Sequence, residues 1–114
     1  MKIINKTKGT LLAEEVTTAD SPFKRIKGLI GEKEFKKGQA LILKPCNSIH
    51  TFFMRFPIDV LFLDKDSRVV EAIPSFKPFR LSCIYFKANF VIELPVGIIK
   101  SSLTHQGDTL TFIT

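Results

Sequence analysis

The sequence predicts a mainly β domain: a compact antiparallel sandwich or partly open barrel of about seven to nine short strands, with one or two short helices. Three observations lead there. Short apolar or alternating segments recur between turn residues along most of the chain. Only the stretch after Asp20 carries a strong helical signal. Helices do not alternate with strands, as a parallel α/β sheet would require. The 114 residues suit one domain, residues 1–114, and leave no room for two independent cores.

Lys2 to Asn5 and Thr10 to Thr17 read as strands separated by Gly9. Asp20 or Ser21 can then cap a helix, and Pro22 suits its first turn. Phe23, Ile26 and Ile30 recur at helical spacing, and Gly31 can end the helix in a left-handed conformation. After a Lys- and Glu-rich loop, Ala40–Leu43 is short and apolar. Ser48 to Met54 is aromatic and reads as a strand, which Pro57 interrupts. Ile58 to Leu63 is apolar on both faces except at Asp59, the pattern of a strand buried on both sides. Asp64 to Ser67 is a turn by composition, so Ile58–Leu63 and Arg68–Ile73 form a predicted hairpin. Ile84–Phe86 and Phe90–Leu94 supply further strands. Ile98–Leu103 holds a helical turn, and Thr109–Thr114 alternates as a half-buried strand.

Hydrophobic residues at 45% and charged residues at 25% exclude disorder by composition. Phe occurs 11 times against one Tyr and no Trp, which reads as core filler. No apolar run reaches the roughly 20 residues of a membrane span, and MKIINKTKGT lacks a secretory h-region. The chain as written is therefore expected to be soluble and cytoplasmic, or exported if a signal sequence has been removed. The net charge of +6 is spread rather than run together, with one cluster from Lys24 to Lys44. Cys46 and Cys83 show no metal-type spacing and are expected to be buried thiols, with a bridge between them only if the protein is exported. No metal or cofactor is predicted.

His50-Thr51-Phe52-Phe53-Met54, Ile58-Asp59 and Phe62-Leu63-Asp64 together resemble the core signature of the bacterial and archaeal family called domain of unknown function 192. Arg25-Ile26-Lys27-Gly28-Leu29, Pro78, Glu93-Leu94-Pro95-Val96-Gly97 and Gly107-Asp108 fit in the same order. Relatives more often carry Ala before the Gly of the Glu93–Gly97 segment, where this chain has Val96. The resemblance covers nearly the whole chain and implies a compact, mainly β domain, sometimes exported. It implies no reaction, substrate or cofactor.

His50, Asp59 and Glu93, with Arg55, are the candidate binding residues. Each is titratable within an apolar segment, and burying such a group without a partner costs several kcal/mol. They must pair with backbone and each other, or face a pocket. Structural roles compete at each position. The His50 ring can bond a backbone carbonyl. Asp59 can accept amides near Arg55 or Phe56. Glu93 can pair with a lysine or with Arg55 across strands. Strand alternation would place His50, Phe52 and Met54 on one face. Asp64 and Asp66 lack the Gly and closing Glu of a calcium loop and read as turn residues. No GxSxG elbow or phosphate loop is present.

Three function classes follow. The leading expectation is a non-enzymatic module binding a small ligand or a protein in a cleft near His50 and Asp59. The alternative is a metal-dependent or acid/base enzyme using His50, Asp59 and Glu93. A weaker one is a nucleic-acid binder using Lys24, Arg25, Lys27, Lys36 and Lys37.

Overall fold

The computed structural model describes residues 1–114. Eight strands and two short helices follow one another as β1 (Lys2–Asn5), β2 (Thr10–Ala13), β3 (Glu15–Ala19), α1 (Pro22–Lys27), β4 (Gln39–Leu43), β5 (Ile58–Leu63), β6 (Val69–Phe76), β7 (Phe90–Pro95), α2 (Ile98–Ser101) and β8 (Leu110–Ile113). They form two sheets, β2-β1-β8 and β3-β4-β7-β5-β6, and no closed barrel. The mainly β expectation holds. One pair, β3 with β4, is parallel, joined by the connection that carries α1; every other pair is antiparallel.

β5 and β7 lie inside the larger sheet and are buried at every position, as the two-sided apolar run predicted for β5. One face of this sheet packs Ile42, Leu61 and Ile92 against Ile3, Leu12 and Leu110 of the smaller sheet. Its other face packs Leu41, Val60 and Phe62 under Leu29, Ile49 and Met54, which come from loops rather than from a sheet. Full burial of one such side chain stabilises the fold by about 1.5–3 kcal/mol. The loop-covered face is where backbone and polar groups can line a cavity. No helix is long and apolar enough to cross a membrane.

Four local expectations are corrected. The segment from Thr10 to Thr17 is two strands in different sheets, because the Glu14 and Glu15 amides both donate to the Gly38 carbonyl, at 2.8 and 2.9 Å. Ser21 caps α1 as expected, its Oγ accepting from the Lys24 amide at 3.2 Å, but the helix ends at Gly28. Gly28 sits at φ 46° and ψ −121°, a conformation that favours glycine. Consequently Ile30 lies beyond the helix, while Phe23 and Ile26 project into solvent.

Ser48 to Met54 is a loop, with only a single bridge between His50 and Leu81. Thr51 causes this. Its buried hydroxyl donates to the Lys77 carbonyl at 2.6 Å and accepts from the Arg80 amide at 3.0 Å, while Phe53 turns at φ 66°. Strand alternation therefore fails here: Met54 is buried and Phe52 exposed. Ile84–Phe86 is likewise no strand. The Ala88 amide closes a turn on the Tyr85 carbonyl at 2.8 Å, and only Tyr85 packs inward, 4.3 Å from the Phe62 ring centre.

Candidate functional site

The register between β5 and β7 separates two residues that the sequence placed together. Val60 stands opposite Glu93, and Asp59 opposite Leu94. Successive strand residues point to opposite faces, so Asp59 faces the smaller sheet and Glu93 the loop-covered side. A His50–Asp59–Glu93 centre is thereby ruled out by geometry, and no group of three or more His, Cys, Asp or Glu residues is placed to hold a metal ion.

Asp59 is fully buried and fully engaged. Its Oδ2 accepts from the Gly97 and Ile99 amides at 3.1 and 2.9 Å, capping α2 from outside the helix. Its Oδ1 accepts from the Ser75 amide at 2.9 Å. That amide belongs to a bulge: between the Ile58–Phe76 and Val60–Ile73 pairs, Pro74 and Ser75 of β6 face Asp59 alone. The amides it accepts are thus not those near Arg55 or Phe56. Asp59 is an anchor for two turns, with no carboxyl oxygen left for a cleft.

Glu93 is the opposite case. It is buried, with Oε1 lacking any hydrogen-bond partner, and burial pushes its pKa up to about 8. Neither a lysine nor Arg55 pairs with it; Arg55 is exposed and forms no ion pair. The side chain forms part of the wall of a cavity of about 230 Å³, which it shares with Arg25, Gly28, Cys46, His50 and Met54. The bare backbone of Gly28 covers it closely. A methyl group added there would stand 4.0 Å from Oε1.

His50 lies on the same cavity, half-exposed. Its Nδ1 accepts from the Phe52 amide at 3.3 Å rather than bonding a carbonyl, and its ring stacks on Phe52 at 5.4 Å. With Nδ1 accepting, a neutral ring carries its proton on Nε2 and remains a donor. Cys46 is half-buried, donates from Sγ to the Ser48 carbonyl at 3.0 Å, and is held as a thiol because burial raises its pKa. Cys83 is exposed, contrary to the expectation of a buried thiol.

A larger cavity of about 350 Å³ lies beyond the end of α1, lined by Glu15, Glu32, Glu34, Lys24 and Lys27 among others. It contains no buried polar group in need of a partner; Glu93 is the one such residue in the chain. Of the four sequence candidates, the structure brings together only His50 and Glu93. Arg25, Gly28 and Cys46 were not among them. Arg25 and Gly28 do fall in the first of the segments flanking the family signature.

The fold and site define a two-sheet β domain with one orphaned buried carboxyl beside a small cavity. The chain belongs to the DUF192 family: residues 3–112 match that family, described as "Uncharacterized ACR". A UPF0127 protein of Pyrococcus horikoshii is 38% identical over 119 residues, covering 98% of this chain and 99% of that one. Another UPF0127 protein, from Thermococcus kodakarensis, is 36% identical over 114 residues, covering 96% of this chain and 72% of the relative. The crystal structure of a protein of unknown function from Novosphingobium aromaticivorans superposes with a TM-score of 0.85 at 18% identity, over 98% of this chain and 84% of that chain. That likeness establishes the shared fold alone.

Proposed function

We propose that this protein is a non-enzymatic binding module whose small ligand occupies the cavity between α1 and the Cys46–Met54 loop and places a hydrogen-bond donor on Glu93 Oε1. The observation carrying this reading is the unpartnered buried oxygen. A desolvated acceptor without a donor costs about 1–3 kcal/mol, a deficit that a ligand donor removes. His50 supplies a second polar contact, and Met54, Leu29 and Leu43 supply apolar walls. The volume suits a ligand smaller than a drug-sized molecule, whose pockets start at about 300 Å³.

Chemical-shift mapping with a panel of small amides, polyols and amines tests the reading. At millimolar concentration, at least one class is expected to move the amides of Arg25–Leu29 and Cys46–His50. Glu93→Met is expected to weaken that binding about tenfold or more, the scale of one buried hydrogen bond lost. A panel that leaves those amides unmoved, or binds the variant equally well, would overturn it.

A further inference from the structure

Three segments cover the loop-faced side of the larger sheet: residues 22–30, 46–57 and 77–89. They adjoin one another. The first two wall the Glu93 cavity together. The second and third are tied by Thr51 amide to Arg80 carbonyl, Phe79 amide to Thr51 carbonyl, and Ser82 amide to Ile49 carbonyl, each 2.9 Å. Phe53 and Phe79 meet edge to face at 5.7 Å.

These segments concentrate two properties that rarely coincide on a surface. They carry large apolar side chains in solvent: Phe23 and Ile26 from α1, Phe52 and Phe53 from the second segment, and Phe79, Leu81, Ile84 and Phe86 from the third. Exposures reach 76% at Phe23 and 86% at Phe86. They also hold seven of the 17 basic residues and none of the 11 acidic ones, so the rest of the chain is close to neutral. Lys24, Arg25 and Lys27 flank the first apolar pair, Arg55 the second, and Lys77, Arg80 and Lys87 the third group. A scattered exposed Phe needs no explanation, but a clustered set does.

We propose that this face docks on an anionic lipid surface, its apolar side chains entering the headgroup boundary and its cations holding the phosphates. Interleaved apolar and basic side chains without carboxylates are what such a surface selects. Single-stranded nucleic acid shares the negative charge, but it rewards rings on which bases stack. Ile26, Leu81 and Ile84 have no ring face to offer, and they gain only from an apolar phase. The proposal is independent of the ligand in the Glu93 cavity.

Co-sedimentation with vesicles of equal phosphatidylglycerol and phosphatidylcholine tests it. Binding is expected at low salt, lost to pure phosphatidylcholine vesicles and weakened by added salt. Lys77→Gln and Lys87→Gln should each weaken it about fivefold, the conversion of about 1 kcal/mol per cation. Phe53→Ser with Phe79→Ser should weaken it about tenfold or more. Both rings are exposed, so this variant is expected to keep the wild-type unfolding transition. Absence of binding to the anionic vesicles would overturn the proposal. So would vesicle binding indifferent to the two Phe substitutions, or tighter binding to a 20-nucleotide oligothymidine that those substitutions abolish.

Discussion

Asp59→Ala is expected to lower the unfolding free energy by about 3–9 kcal/mol, because three amides lose their acceptor at once and each orphaned amide costs about 1–3 kcal/mol. The amides are those of Ser75, Gly97 and Ile99. A small domain has only about 5–15 kcal/mol in total, so the variant should be partly unfolded at room temperature or melt far below the wild type. Guanidinium unfolding followed by circular dichroism gives the difference directly. The effect falls on the fold as a whole, since the carboxylate ties β5 to the β6 bulge and to α2. Asp59→Asn keeps one acceptor oxygen and should lie between the two. A loss below about 1 kcal/mol for the alanine variant would mean that the amides find other partners, and the anchoring role would fail.

Glu93→Gln is expected to act in the other direction, and only above acidic pH. In the folded chain the carboxyl keeps its proton up to about pH 8, against an ordinary value of 4.5, because burial disfavours the charged form. Between those two values the unfolded chain has lost the proton and the folded chain still holds it. The native state binds more protons, so stability falls as pH rises through this window and levels off above it. The substitution removes that slope. At about 1.4 kcal/mol for each pH unit of the window, the variant should equal the wild type near pH 4 and exceed it by a few kcal/mol near pH 8. Unfolding free energies measured from pH 4 to 9 on both proteins test this. Parallel profiles would show that Glu93 titrates normally and is not desolvated. A carboxyl that weakens its own fold at neutral pH is a cost with no structural return, which is why Glu93, and not Asp59, carries the functional reading.

Both residues were visible in the sequence as charges inside apolar strands, and nothing local distinguished them. The difference is set by register. Asp59 stands opposite Leu94, across from the α2 turn, whereas Glu93 stands opposite Val60 beneath Gly28. A shift of one residue in that pairing would put both on the same face. Strand periodicity identified β5 and β7 well, because burial on both sides leaves a continuous apolar run. It failed at Ser48–Met54, where a buried Thr51 hydroxyl competes with strand pairing by bonding backbone groups some thirty residues away. Helical spacing did locate α1 behind its Ser21 cap, but its apolar positions Phe23 and Ile26 meet no core. In both places the Phe residues read as core filler are on the surface, and they belong to the face proposed to meet lipid.

The carbon-13 shift of the Glu93 side-chain carboxyl, followed through a pH titration of the free protein, tests most directly whether a buried, unpartnered acid sits at the cavity. A midpoint near 8 is expected, moving downward when a donor-bearing ligand from the panel occupies the site. A midpoint near 4.5 in the free protein would mean a solvated carboxylate, and would contradict both the orphaned oxygen and the binding role built on it.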